Sequence, residues 1–271
     1  MAKALKKESV KKTYTATLED CELLSKFVTD FSGNDDILFI EIEPDGKILA
    51  KFTDSNKSIL RYNQLDDIIF EFKEQPDMRI GVGLFNLKRI SSLLALISKE
   101  KNITFEFQVS TSKIEKCNDT YETDVIIIRT ENFKYLKLPT ANSTLINYVN
   151  DTVISDLMNS EDYPVVLKFD EDIIKKLKGI SGLDETLQYV KITAEKGSTE
   201  AEFNFQNDYN LVFKSKDNVI SEDYTGTLTI DFVKKMRITE SLISLDPDKV
   251  VISAESDKVI MAFSLVEDAN D

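Results

Sequence analysis

The hydrophobic period of this chain changes from that of strands to that of helices, and back, in the same order twice. Ile37–Ile42, Ile48–Thr53, Ser58–Tyr62, Ile68–Glu74, Ile103–Val109, Asp124–Arg129 and Phe133–Leu138 are short runs, mostly alternating or apolar, that predict strands. Val165–Phe169, Gln188–Ala194, Glu200–Gln206, Tyr209–Ser215, Tyr224–Ile230, Lys249–Ala254 and Val259–Val266 continue the pattern. Helical period appears in Leu18–Phe31, Leu84–Lys99, Asp170–Leu183 and Asp231–Thr239. Strand, helix, several strands, helix and several strands therefore occur once from about Thr13 to Thr140 and again from about Tyr163 to the end. The two halves share pattern rather than obvious identity.

The boundaries follow from composition. Residues 1–12 form a basic stretch (Lys3, Lys6, Lys7, Lys11, Lys12) with no apolar region behind it, which reads as a flexible tail. Residues 141–162 lack a clear period and are rich in Asn, Ser and Thr, which reads as a connector. Residues 13–140 and 163–271 are then two domains. No apolar run approaches the roughly 20 residues of a membrane span. Two cysteines, Cys21 and Cys117, stand far apart and outside any motif, which fits a reducing compartment and buried packing.

Absences narrow the chemistry. The chain has no histidine, the commonest general base and transition-metal ligand. Its eight glycines form no phosphate-cradling loop. No carboxylate pair stands out among 48 acidic residues. No catalytic residue, cofactor or metal is expected, and the chain does not read as an enzyme.

Charge is distributed unevenly. At net −14 the protein is strongly acidic, yet three helical stretches collect cations without acids between them. They are Leu84–Lys99 with Lys88, Arg89 and Lys99, Ile173–Leu183 with Lys175, Lys176 and Lys178, and Phe232–Thr239 with Lys234, Lys235 and Arg237. Lys88, Ser92, Ala95 and Lys99 lie opposite the apolar stripe Leu87, Ile90, Leu93, Leu94 and Ile97. Lys175 and Lys178 point away from Ile173, Ile174, Leu177 and Ile180. Any one cluster alone also fits a solvated helix face. Together they describe a protein that repels polyanions on one surface and accepts them on another.

Three passages carry a resemblance: FNLKRISSLLALISKEKNITF (85–105), FDEDIIKKLKGISGLDETLQYVKITAEKG (169–197) and TIDFVKKMRITESLISLDPDKVVISAESDKVIMAFSLVED (229–268). In them the chain resembles DNA polymerase sliding clamps of the PCNA type, most closely the trimeric phage clamps. The resemblance implies an α+β clamp fold, with two similar domains of two helices each packed on antiparallel β-sheets, assembling into a homotrimeric ring. It implies a processivity factor that encircles duplex DNA without reading its sequence and tethers the replicative polymerase, and that a clamp-loader ATPase opens and closes. It also implies clamp-binding peptides as partners, no membrane, and the cytoplasm of a host cell or a nucleus-like replication compartment.

On that basis Lys88, Arg89, Lys99, Lys175, Lys176, Lys178, Lys234, Lys235 and Arg237 would line the DNA path. The outward face of the first helix departs from the family, because it carries Glu19, Glu22 and Asp30 with only Lys26. Ring closure would pair Phe133–Leu138 (Phe133, Tyr135, Leu136) with Tyr209–Ser215 (Tyr209, Leu211, Phe213) of the next subunit. Interior strands would explain those two segments equally well. Partner peptides would lodge near Ile146, Tyr148, Pro247, Met261 and Phe263, although core packing also accounts for Met261 and Phe263. Two other readings remain at this stage. One is a monomeric or dimeric clamp-fold processivity factor that does not encircle DNA. The other is a β-rich viral structural protein without DNA affinity.

Overall fold

A computed structural model of the chain describes residues 11–31, 37–53, 59–113, 120–141, 149–158, 163–206, 208–236, 241–246, 250–256 and 259–264. The first half contains β1 (Lys11–Leu18), α1 (Cys21–Phe31), β2 (Ile37–Ile42), β3 (Ile48–Thr53), β4 (Ile59–Gln64), β5 (Phe70–Phe72), β6 (Arg79–Phe85), α2 (Leu87–Ile97), β7 (Thr104–Lys113), β8 (Thr120–Arg129) and β9 (Leu136–Pro139). Helix α3 (Asp151–Met158) follows. The second half contains β10 (Val165–Phe169), α4 (Glu171–Leu183), β11 (Tyr189–Ala194), β12 (Glu200–Phe205), β13 (Tyr209–Lys214), β14 (Val219–Ile220), β15 (Tyr224–Thr229), α5 (Asp231–Lys235), β16 (Ser241–Leu245), β17 (Val250–Ser256) and β18 (Val259–Ser264).

The repeat of pattern is also a repeat of hydrogen-bond topology. Strand β1 pairs antiparallel with β5 and β7, as β10 does with β14 and β16. Strand β2 pairs with β3 and β6, as β11 does with β12 and β15. The meander β7-β8-β9 matches β16-β17-β18. Two pairings break the equivalence: β6 also runs parallel to β8 over Arg79–Gly81, whereas β13-β12-β11-β15 stands as a separate four-stranded sheet, and β18 lies beside β4, whereas their counterparts β9 and β13 do not pair with each other among the described residues.

The chain divides into two compact units, Met1–Asp54 with Asn63–Asn150, and Ser55–Tyr62 with Asp151–Asp271. In the first, α1 buries Leu24, Phe27, Val28 and Phe31, and α2 buries Leu87, Ile90, Leu94 and Ile97. These spacings of three and four residues are what one face of a helix requires. They share a core with Ile40, Ile42, Val82, Phe105, Phe107, Ile126 and Ile128 of the sheet, and each such side chain contributes about 2 kcal/mol on burial. In the second unit α4 buries Ile174 and Leu177, and α5 buries Phe232 and Val233. Their core includes Phe169, whose ring centroid lies 5.5 Å from Phe203 and 4.8 Å from Phe213. Residues 59–62 of β4 belong to this unit, where β4 lies beside β18 and Ile59 is buried in the core.

Several boundaries differ from the sequence expectation. Leu84 lies within β6, which runs to Phe85, instead of opening α2. Strand β6 was not anticipated, because RIGVGLF buries almost every position and so lacks alternation. Gly81 is required there, since a methyl group would run into the Phe39 ring and Thr120. Lys11 and Lys12, assigned to the tail, begin β1 opposite Ser110 and Val109 of β7; residues 1–10 of the expected tail lie outside the described residues. The stretch read as a connector contains α3, which buries Ile154. Strand β9 starts at Leu136 rather than Phe133, because Thr130 to Phe133 form a turn in which Thr130 N–H donates to Phe133 O at 2.9 Å.

Candidate nucleic-acid interface

Helix α2 presents a cationic face by local construction. Asn86 takes a left-handed conformation (φ 56) that Asn tolerates better than most residues, and its side chain accepts the Arg89 N–H at 3.1 Å. The first turn then carries Lys88 and Arg89 and no acid. Their charges add to the positive end of the helix dipole instead of opposing it, which disfavours the helix and strengthens the local field. Lys88, Ser92, Ala95 and Lys99 are exposed, opposite the buried face, as the periodicity predicts, and Arg89 is exposed as well. Among the described residues no carboxylate lies within ion-pair distance of Lys88, Arg89 or Lys99. Helix α1 packs beside α2, with Cys21 Sγ donating to Leu94 O at 3.4 Å and Thr29 Oγ1 3.4 Å from Ser91 Oγ. Glu19, Glu22 and Lys26 are exposed and Asp30 is half-buried, so the α1 side of the pair is acidic.

The second helix pair treats its cations differently. Asp170 caps α4 as anticipated, accepting the Ile173 N–H at 2.8 Å. Its first turn carries Glu171 and Asp172, and Glu171 lies 2.6 Å from Lys175 one turn on. That pairing holds the Lys175 ammonium above its ordinary pKa. In α5, Asp231 likewise lies 3.3 Å from Lys235. The acid-free windows 173–183 and 232–239 start just inside the two helices and so omit Glu171 and Asp231, which compensate one cation apiece. Lys178 does not point away from the protein as expected. It is half-buried, and its ammonium donates to Lys234 O at 2.8 Å. Burial, and then the charge of Arg61, push its pKa down. Lys176 and Lys234 are exposed, with no carboxylate in ion-pair distance among the described residues. Arg237 lies outside the described residues.

The two strands proposed for ring closure are open edges among the described residues. Strand β9 pairs only with β8, and β13 only with β12. Tyr135 is 54% exposed, and its ring centroid lies 5.8 Å from the Arg129 guanidinium. Phe133 and Leu136 pack against the first core. Tyr209 and Leu211 are half-buried, whereas Phe213 is core and unavailable as an interface side chain. Of the partner-pocket residues, Ile146, Tyr148 and Pro247 lie outside the described residues. Met261 and Phe263 sit on β18 opposite Ser253 and Val251 of β17.

Arg61 and Asn86 were missed by the sequence reading. An Asn directly before a basic helix start was a usable signal for the cap. Nothing marked Arg61, which acts from a strand far away in sequence. Among the described residues no cluster of His, Cys, Asp and Glu forms a metal site, and no helix is long and apolar enough to cross a membrane.

No protein-family model matches the chain, and comparison with curated proteins finds no match. A search of solved structures finds the crystal structure of Proliferating Cellular Nuclear Antigen from Entamoeba histolytica, with a TM-score of 0.63 at 14% sequence identity, covering 94% of this chain and 99% of that one. The chain therefore has the α+β fold of that protein over nearly its whole length.

Proposed function

We propose that the chain is a DNA sliding clamp, a homotrimeric ring that encircles duplex DNA and tethers a replicative polymerase without chemistry of its own. One observation carries this reading. The open edges β9 and β13 are the repeat counterparts of β18 and β4, two strands that already lie side by side in the second unit. Applying the same pairing between copies joins β9 of one protomer to β13 of the next. Such a head-to-tail contact yields a ring when its rotation closes. Among the described residues, no two of the remaining sheet ends β5, β14 and β15 are counterparts of strands that pair with each other.

The charge pattern supports DNA as the occupant. Three copies would carry 3 × −14 = −42, so a path for DNA needs local cations. Lys88, Arg89, Lys99, Lys176 and Lys234 are exposed without a paired carboxylate among the described residues, and phosphate contacts from such residues attract DNA without reading sequence. Lys175 and Lys235 contribute less because Glu171 and Asp231 hold them. Arg237 belongs to the same proposed set. Encirclement makes repeated polymerase encounters effectively intramolecular.

The finer assignments follow from the same reading. The partners are a polymerase and other clamp-binding peptides, seated near Ile146, Tyr148, Pro247, Met261 and Phe263, and a loader ATPase. Resemblance of segments 85–105, 169–197 and 229–268 to phage clamps favours a viral replication system in the host cytoplasm. The test compares retention on nicked circular DNA with retention on the same DNA made linear. A ring resists a salt challenge on the circle and slides off the linear form. Equal loss from both indicates a processivity factor that binds by one face.

A further inference from the structure

Helix α5 has five residues, too few to hold together without tertiary help. Burial of Phe232, Val233 and Met236 fixes one side of it. Its carbonyl end is fixed by cations from elsewhere in the same unit. The Lys178 ammonium, projecting from α4, donates to Lys234 O at 2.8 Å, and Arg61 Nη2 from β4 stands 3.5 Å from Lys235 O. Cations at this end oppose the negative pole of the helix. Lys178 spends its hydrogen bond inside the protein and is half-buried, so it is poorly placed to meet a phosphate. The residue whose backbone it holds, Lys234, has its own side chain in solvent.

We propose that Lys178 is a positioning residue for the DNA path. It pins the end of α5 and thereby fixes where the Lys234 ammonium stands, while Lys234 makes the phosphate contact. This rests on the sliding-clamp reading and reassigns one of its cations. Lys178 is charged and lies among the DNA-facing candidates, so a simple loss of affinity in Lys178→Gln would not separate the two roles.

The roles differ in how their effects combine. Each phosphate contact contributes about 0.9 to the slope of log Kobs against log salt concentration. Anisotropy titrations of a labelled duplex across a salt series would compare wild type, Lys178→Gln, Lys234→Gln and the double variant. If Lys178 acts through Lys234, each single variant and the double variant all lose the same single contact, about 0.9 in slope. If both residues touch phosphate, the double variant loses about twice that, and the proposal is overturned. Lys178→Arg, which keeps a donor and a charge, is expected to recover most of the slope.

A readout without DNA tests the anchoring itself. Lys234 N–H donates to Ile230 O and Met236 N–H to Phe232 O, so hydrogen exchange at these amides reports whether α5 is held. Lys178→Gln is expected to raise exchange there while amides of β11 and β12 keep wild-type protection, which also shows that the variant folds. Unchanged exchange in α5 overturns the proposal. Faster exchange in α5, combined with no salt-dependent DNA binding by the wild type, would leave the anchor standing and remove the clamp reading together with the positioning role.

Discussion

The Lys51 ammonium lies 3.2 Å from the Glu41 carboxylate, and both side chains are 1% exposed. The same Glu41 oxygen also lies 3.2 Å from Arg79 Nη1, and Arg79 reaches Glu43 at 2.7 Å. Three neighbouring strands of the first unit, β3, β2 and β6, are thus joined through one shared buried carboxylate. Removing that carboxylate takes the buried ion pair from Lys51, while Arg79 keeps Glu43, so Glu41→Leu is expected to cost about 3 kcal/mol or more. Lys51→Met should cost less, because Arg79 still partners Glu41. Urea midpoints at constant slope check the order; equal costs would show that Glu41 is not the hub.

A cavity of about 40 Å³ lies in the first core, lined by Leu24, Val28, Ile40, Ile42, Val82, Leu84, Ile90, Leu93, Leu94 and neighbouring aromatic and aliphatic residues. Voids cost about 24 cal/mol per Å³. Val82→Ile, which adds one methyl group beside it, is expected to stabilise the protein by up to about 1 kcal/mol. Leu94→Ala enlarges the same void and should destabilise by about 2–5 kcal/mol. Thermal unfolding of the pair reads both signs.

The proposed DNA face should respond to charge residue by residue. Lys88→Gln with Arg89→Gln is expected to reduce the salt slope of duplex binding by about 1.8, two contacts at about 0.9 each. Lys175→Gln should change it less, because Glu171 already holds that ammonium. Affinity should fall equally on duplexes of unrelated sequence, since phosphate contacts carry no sequence information.

Asp77 gives the first unit an acid sensitivity. Its carboxylate accepts the Tyr14 hydroxyl at 2.8 Å and the Tyr121 hydroxyl at 3.2 Å, and the Tyr14 bond leads the causes that hold it below the ordinary carboxylate range. A carboxyl with a lower pKa folded than unfolded contributes stability that is fully present above the unfolded value, here 3.8, and lost as pH falls through the folded value. Asp77→Asn should therefore lower stability at neutral pH and flatten its decline as pH falls below about 4, the two proteins converging in acid. An unchanged acid limb would mean that the two tyrosines do not favour the ionised form.

Periodicity revealed the elements whose burial is one-sided. Ile37–Ile42, Ile48–Thr53 and Val165–Phe169 match the observed strands, and the inward stripes of α2 and α4 fall where the wheel puts them. Strand β6 escaped because both its faces are buried, and α3 because eight residues give too short a pattern. The basic clusters were legible as composition, but their compensation was not. Pairing of Lys175 and Lys235 depends on acids one turn earlier, and the inward turn of Lys178 depends on a carbonyl 56 residues away. The equivalence of β9 and β13 with β18 and β4 is a property of hydrogen-bond topology, which no local period encodes.

Ring closure requires copies of the chain to join edge to edge. Light scattering across a wide concentration range measures this directly, on the wild type and on Tyr135→Glu combined with Val212→Glu, two exposed positions at the proposed edges. The wild type is expected to reach and hold a mass of three 30.8 kDa chains, and the edge variant to fall to one with its secondary structure and cooperative unfolding intact. A wild type that stays monomeric at every concentration, or an edge variant that remains trimeric, would contradict ring closure through β9 and β13.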